Sequence, residues 1–405
     1  MHTSADTYDV IIAGGGPAGS SASIHLANRN LRVLLVEQKQ FPRAKLCGEF
    51  ISPECLGHFQ RLGIEAKMMS SNPAFLTETV FYSRSGHSLT LPSHWFGGSG
   101  ALGLSRAVMD NNLLQRAREI GVAVQENANI TEVIEERNRV RGVRLKSGDA
   151  THEYLAPVII DATGRARALT RKVKSIQKNS APRSKPKLVA FKAHLEKTRV
   201  AEGACEIYFY SGGYGGLSTV EDGVSNLCFI SAAEDVRRCH SDPEAVLRET
   251  LLRNRRAAYA LEAASVRSEW LSVSLESFGR QRLSPAKGLL AIGDSAAFID
   301  PFTGSGMLMA LESGELASRL IVRHLENLEK DSSFTALAAE YKREYQRMFD
   351  SRFRVSGLLR RAAFTSRLAE IGIVIFGASE RLRSRTARAT RSGGNENQSR
   401  LESVK

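Results

Sequence analysis

The sequence predicts an α/β fold with a separate antiparallel sheet layer and a helical C-terminal segment. Three observations carry that expectation. Short apolar runs, Val10–Ala13, Leu31–Val36 (broken only by Arg32) and Leu289–Ile292, stop at glycines or acids, as strands buried on both faces do. Other stretches alternate apolar and polar residues, as strands with one covered face do. From Ser333 to Phe376 the pattern reads as helix. At 405 residues the chain is too long for one small core, and two or three lobes are expected.

The first element in order is "YDVIIAGGGPAGSSASIHLANRNLRVLLVEQ", Tyr8 to Gln38. Val10–Ala13 reads as a strand, Ser20–Ala27 as a helix of small residues and Leu31–Val36 as a second strand. Gly14-x-Gly16-Pro17-Ala18-Gly19 occupies the turn between the first strand and the helix, the position of a Rossmann-type dinucleotide site. Gly14 permits the tight turn, Gly16 lets backbone approach a pyrophosphate, and Gly19 lets helix and strand pack closely. Amides at the helix start then face the phosphates. Glu37 ends the second strand, where a carboxylate accepts from a ribose 2′-hydroxyl and repels a 2′-phosphate.

The counterpart is "KGLLAIGDSAAFIDPFTGSGMLMALESGELASRLIV", Lys287 to Val322. A strand over Leu289–Ile292 ends at Gly293-Asp294. A helix over Met307–Leu320 has Gly304 and Gly306 at its entrance. Asp294 can accept from the hydroxyls of a sugar-alcohol chain, and the helix entrance offers amides to an electron-rich group. A nicotinamide dinucleotide has little need of a second site so far along the chain. A longer cofactor carrying adenosine, two phosphates, a ribityl chain and a large redox ring does, and FAD meets that description.

"GDSAAFIDPFTGSGM" resembles the motif of the superfamily that holds FAD-dependent monooxygenases, geranylgeranyl reductases and flavin halogenases. The resemblance implies a glutathione-reductase-like FAD lobe with FAD as cofactor. It places Asp294 on the ribityl chain and Gly306 with Met307 against the flavin. Arg106, in the first turn of a helix read over Leu104–Val122, resembles the family arginine that contacts FAD. Ala128 matches the small residue near the adenine. "FPRAKLCGEF" contains Pro42-x-x-x-x-Cys47-Gly48, similar to the PxxxxCGG motif of geranylgeranyl reductases, with Glu49 in place of a further glycine. That implies Cys47 and Gly48 beside the flavin, with Cys47 a candidate catalytic thiol. Glu49 reads either as a proton donor there or as a helix-start charge.

The branch follows from further residues. Hydroxylases of the superfamily carry an Asp-Gly pair after the strand at Val158, whereas this chain has Asp161-Ala162-Thr163-Gly164. The halogenase WxWxIP signature is absent around Trp95 and Trp270. The reductase motif YxWxFP is matched only by Tyr214, in a hairpin read as Leu217–Val220, an Asp222-Gly223 turn and Val224–Ile230. The geranylgeranyl reductase-like branch is the nearest. It implies a reductase passing hydride through FAD to an apolar small molecule, with NAD(P)H as electron donor. A monooxygenase of aromatic or polyketide-type compounds and a membrane-peripheral electron-transfer flavoprotein are the alternatives.

The expected FAD lobe is discontinuous, over residues 1–72, 98–172 and 281–322. A β-sheet substrate domain takes 73–97 and 173–280, C-terminal helices take 323–380, and a disordered polar tail takes 381–405. Glu78–Pro92, Lys187–Glu196 and Ser265–Glu276 read as strands of the sheet lobe, and the segment 172–187 as a basic linker. Phe191, Tyr208, Tyr210 and Phe229 are candidates for the pocket, with core packing the better reading of each. His87 and His194 have no convincing partner in the sequence.

The net charge of +13 and pI near 9.7 invite a nucleic-acid or anionic-surface reading. Ten arginines between Arg352 and Arg391, against Glu370 and Glu380, concentrate the excess near the C-terminus. No basic groove interleaved with aromatics is visible, so no nucleic-acid role is expected. "GLLRRAAFTSRLAEIGIVIFGA" is basic and apolar together. It reads as a helix capping the FAD lobe or as a peripheral contact with anionic lipid. Five dispersed cysteines show no zinc spacing and fit a reducing compartment. No signal peptide or spanning segment is expected, and the expected location is cytoplasmic, with membrane-peripheral contact open.

Overall fold

The computed structural model describes residues 6–96, 100–147, 150–178, 187–275, 278–328, 330–381 and 383–384. The middle of the expected linker, 179–186, and the tail from 385 onward lie outside them.

A five-stranded parallel sheet forms the first layer, in the order Leu289–Ala291, Val158–Asp161, Val10–Ala13, Val33–Val36, Ala123–Gln125. Its central strands are wholly buried, which is why they read as unbroken apolar runs. In register, Asp161 faces Ala13 and Ala291, Ala13 faces Val36, and Val36 faces Gln125. The strands therefore end along one line. The turns after them, at Gly14, Glu37, Ala162 and Gly293, leave from the same sheet edge, where ligands of open α/β sheets sit. Glycine clusters 280 residues apart in sequence become neighbours for that reason.

Helices Pro17–Ala27, Arg106–Glu119 and Gly306–Arg323 cover one face, and an antiparallel sheet of Asn129–Glu136, Arg139–Ser147 and Ala150–Leu155 covers the other. Gly19 sets the depth of the first helix, since a Cβ there would lie 1.9 Å from the Gly14 carbonyl oxygen.

The second layer is a large sheet in the order Ser265–Val266, Leu188–Glu196, Ser225–Ala232, Gly213–Thr219, Ala204–Tyr210, Glu78–Tyr82, Ser88–Pro92, with Leu271–Leu275 also paired to Leu188–Glu196. Period-two alternation gives it two distinct faces. Phe191, Tyr208, Tyr210, Leu217 and Phe229 pack outward beneath the helices Pro243–Glu249 and Arg255–Leu261. Ala190, Phe209, Tyr214, Ile230 and Leu275 point to the opposite face. Phe191, Tyr208, Tyr210 and Phe229 are thus core residues.

Two strand assignments change. Glu78–Pro92 is a hairpin of Glu78–Tyr82 and Ser88–Pro92, because Arg84-Ser85-Gly86, with Gly86 at φ 103°, turns the chain. Ser265–Glu276 divides into Ser265–Val266 and Leu271–Leu275. The Asp222-Gly223 turn forms, with both residues at positive φ (58° and 69°).

The helix Asp331–Ala363 packs on Gly306–Arg323 through Phe334, Leu337, Tyr341, Tyr345 and Phe349, spaced three and four residues apart. Each such burial contributes roughly 1.5–3 kcal/mol. Arg352 turns inward to pair with buried Glu312 at 2.5 and 2.9 Å, so it is not part of the basic surface. The helix Ser366–Gly377 then folds back across the large sheet near Ser88–Pro92 and Ala204–Tyr210.

Candidate cofactor cleft and active site

A cavity of about 740 Å³ runs from the parallel-sheet edge to the inner face of the large sheet. Gly14, Gly16, Pro17, Ala18, Glu37, Cys47, Gly48, Glu49, Arg106, Ala128, Asp294, Gly304, Gly306 and Met307 all line it. Gly19 stands one layer behind, where it fixes the turn instead.

At the Glu37 end the geometry is set by backbone. Gly14 has φ 107°, and a Cβ there would lie 2.4 Å from the Ala162 carbonyl oxygen. Glu37 accepts from the Gly15 and Lys39 amides, at 2.9 Å each, and approaches Arg43 at 3.5 Å. Its carboxylate is thereby locked at the end of its strand. Arg106 makes a two-pronged pair with fully buried Asp110 (2.7 and 2.8 Å). Burial works against the Arg106 charge, but Asp110 outweighs it and keeps the guanidinium protonated.

At mid-cavity, Asp294 projects from the turn after Leu289–Ala291. Among the described residues its carboxylate has no hydrogen-bond partner, and burial pushes its pKa up against the pull of Arg165, Arg106 and Lys45. Lys45 is pushed down, by burial first and then by Arg43, Arg106 and Arg165. Lys45 and Arg165 face the cavity, although the sequence motifs did not mark them.

The Cys47 loop forms the floor. Asn226 Nδ2 donates to the Cys47 carbonyl (3.2 Å), and the Glu49 amide lies 3.4 Å from Cys47 Sγ. Glu49 is 1% exposed and held on several sides. Its Oε1 takes Lys192 Nζ and the Arg106 amide (2.8 Å), and its Oε2 takes His194 Nε2 at 2.6 Å. Burial opposes the Glu49 charge, yet the His194 hydrogen bond and Lys192 outweigh it and hold the carboxylate ionised. His194 therefore has a partner that the sequence concealed. The available signal was the alternation of "AFKAHLE", which puts Lys192 and His194 on the same sheet face as Ala190. A lysine on a buried face requires a carboxylate.

The far wall is apolar, built from Phe81, Ile207, Phe209, Ile230, Leu275 and Phe302. Tyr214 is its main polar element, with its hydroxyl 2.6 Å from Asp300 Oδ1. Burial, then Asp300, pushes the Tyr214 pKa well up.

A model of the FAD binding domain family matches residues 7–341. This chain belongs to that family. It is an FAD-dependent oxidoreductase with the α/β FAD-binding fold. Digeranylgeranylglycerophospholipid reductase 2 of Methanopyrus kandleri is 27% identical over 365 residues, covering 86% of this chain and 84% of that protein. Menaquinone reductase of Mycolicibacterium smegmatis is 26% identical, covering 77% and 76%. Among solved structures, a geranylgeranyl bacteriochlorophyll reductase-like protein of Thermoplasma acidophilum superposes with TM-score 0.79 at 19% identity, covering 99% and 100%. A flavin-dependent brominase gives 0.77 at 20%, covering 95% and 93%. Those two likenesses concern the fold.

The cavity fits FAD by its own features. Asp294 is an acceptor facing the cavity with no hydrogen-bond donor among the described residues. A Cβ at Gly48 or Gly306 would meet nothing within 4 Å, and one at Gly16 only Arg106 Nη2 at 3.9 Å, so three close-approach surfaces stand clear. Cations and backbone amides gather where a pyrophosphate would need them.

Proposed function

We propose that this enzyme reduces carbon–carbon double bonds of an isoprenoid-type lipid, with a nicotinamide dinucleotide as the electron source. The observation that carries the reading is the continuity of the cavity. The bed around Gly14, Glu37 and Asp294 opens without a partition onto the apolar wall at Ile207, Phe209 and Ile230. Bound FAD supplies two-electron hydride chemistry. Glu37, Arg106 and Asp294 would hold it, and the Cys47–Gly48 backbone would support it from below. The large sheet and the C-terminal helices exclude water from the wall and orient an apolar chain along it. The reductase names of the curated relatives support this substrate class.

The same reading takes the substrate from a bilayer. Gly372, Ile373 and Phe376 of the helix Ser366–Gly377 line the cavity, while Ile371, Val374 and Ile375 face outward, each more than half exposed, as does Leu358. Arg354 and Arg361, one turn either side of Leu358, and Arg381, just beyond the last helix, are exposed too. Exposed apolar side chains with exposed arginines on the same elements suit an anionic membrane surface, each arginine adding about 1 kcal/mol near it. No described helix is long and apolar enough to cross a membrane. The occupant is a peripheral bilayer contact beside the cavity mouth.

The experiment is anaerobic. FAD-loaded enzyme is reduced with NADPH or NADH and then mixed with a geranylgeranyl lipid or with an aromatic control. Return of the oxidised flavin band with the lipid alone, with a saturated product by mass, is the expected result. Reoxidation only on admitting air, with oxygen incorporated into an aromatic compound, would favour a monooxygenase. For the bilayer contact, sedimentation with phosphatidylserine vesicles should exceed that with phosphatidylcholine. Replacing Ile371, Val374 and Ile375 by Asp should abolish the difference.

A further inference from the structure

On the sheet face that carries Ala190, Lys192 and His194, two spaces meet at the Glu49–His194 pair. One is the main cavity, lined by Glu49. The other is a small side cleft of about 220 Å³, lined by His194, Val220, Glu221, Asp222, Val224, Arg267 and Ser268. His194 is 22% exposed at its side chain and Glu49 is 1% exposed, yet Nε2 and Oε2 are 2.6 Å apart. We propose that His194 and Glu49 form a proton relay, carrying a proton from solvent in the side cleft into the buried cavity beside Cys47.

Lys192 and His194 engage different oxygens of Glu49. Lys192 Nζ already pairs with Glu49 Oε1, the same oxygen that takes the Arg106 amide, and Lys192 also donates to the Lys45 carbonyl at 3.2 Å. Oε1 is thereby saturated with donors that hold the carboxylate in place. Oε2 has His194 as its sole hydrogen-bond partner among the described residues. One oxygen is structural, and the other joins a titratable ring to the cavity. The remaining titratable groups around the pair do not compete for its proton in the cavity. The Cys228 thiol, opposite Lys192 in register, is pushed up to about 12, by burial first, and stays neutral. Glu221, Asp222 and Arg267 lie on the side-cleft face of His194, and Glu221 accepts from the Ser105 amide at 2.7 Å. Cys47 shares the Glu49 loop.

This inference rests on the reductase reading. Bound, reduced FAD would supply hydride to one carbon of the double bond, and the neighbouring carbon takes its proton first, so that no carbanion forms on the unactivated alkene. The Nε2–H bond of the His194 imidazolium breaks as Oε2–H forms on Glu49. That bond breaks in turn as C–H forms at the neighbouring carbon. His194 takes its replacement proton from water in the side cleft. Where the substrate would lie, the wall is built mainly from Phe81, Ile207, Phe209, Ile230 and Leu275, and the Tyr214 hydroxyl is engaged by Asp300, so a proton needs such a route.

The test compares His194→Phe, Glu49→Gln and the wild type. Lipid-dependent flavin reoxidation should fall about a hundredfold in both variants, while the visible spectrum of bound FAD stays the same. Added imidazole should restore His194→Phe but not Glu49→Gln. In the wild type, the rate should fall as pH rises, with the same midpoint that the His194 ring shows by imidazole NMR in the cofactor-free protein. Glu49→Gln should displace that NMR midpoint. A wild-type rate in His194→Phe, no rescue by imidazole, or an NMR midpoint indifferent to Glu49→Gln would each overturn the relay. Failure of the reductase reading looks different: wild-type enzyme is then not reoxidised by any unsaturated lipid, and the NMR titration still decides whether the two groups share a proton.

Discussion

Near Glu37 the cavity is shaped by backbone turns, each within a few residues of a parallel strand end. Near Phe209 it is shaped by side chains from strands spread between Glu78 and Leu275, and by a helix almost 300 residues beyond Glu78. The first end tolerates little change of shape, because main chain abuts main chain. The second is a surface of interchangeable apolar groups with one charged cluster let into it, at Lys192, His194 and Glu49. A cofactor that must be held rigidly sits against the former, and a substrate of variable shape against the latter.

The largest effect tests the rigid end. Gly19→Val would place a side chain 1.9 Å from the Gly14 carbonyl, and no flexible neighbour can yield. A loss of more than about 4 kcal/mol is expected, seen as insoluble or colourless protein. A soluble yellow variant would show that the turn is more pliable than described.

Next is the charged cluster in the adaptable wall. Lys192→Met leaves buried Glu49 with His194 as its one remaining ion-pair partner among the described residues and should cost about 3–5 kcal/mol in denaturant unfolding. Combining it with Glu49→Gln should recover much of that loss. If the double variant is no more stable than the single one, Lys192 serves something other than Glu49. Asp294→Ala should leave folding intact and weaken FAD binding by about 1–3 kcal/mol in calorimetry, since an acceptor facing the cavity is lost without disturbing any protein hydrogen bond.

The smallest effect lies outside the cavity and serves as a control. Glu315, paired with His58 and Arg61 at 3.0 Å, is lowered to about 2, although burial alone would raise it. A depressed carboxylate contributes stability that is present above its unfolded value of about 4.3 and is lost as pH falls towards about 2. Glu315→Gln should flatten the melting temperature between those limits and leave FAD affinity unchanged. The contribution is modest because Arg61 is half exposed.

The same contrast governs what was legible in the sequence. Gly14, Gly16, Glu37, Asp294 and Gly306 declare themselves because each belongs to a local strand–turn–helix pattern, and parallel register does the rest. Lys45 could be noted only as a cation near Cys47, and Arg165 escaped because it lies in an irregular segment whose direction no periodicity reveals. His194 found its partner 145 residues away, through a sheet register that no local signal encodes. The strand "AFKAHLE" did contain the clue, an alternation that buries a lysine. Glu78–Pro92 read as one strand because Ser83 to Gly86 interrupts the alternation only briefly. The inward turn of Arg352 depends on Glu312 in another helix, so a count of arginines overstates the basic surface.

The cofactor bed and the apolar wall form one continuous cavity. Titrating FAD-loaded, oxidised enzyme with a geranylgeranyl lipid while recording the visible flavin band tests it most directly. A saturable perturbation of that band, lost when Ile207 and Ile230 are both replaced by Asp while FAD remains bound, is predicted. A band indifferent to lipid at every concentration, with FAD still in place, would contradict it.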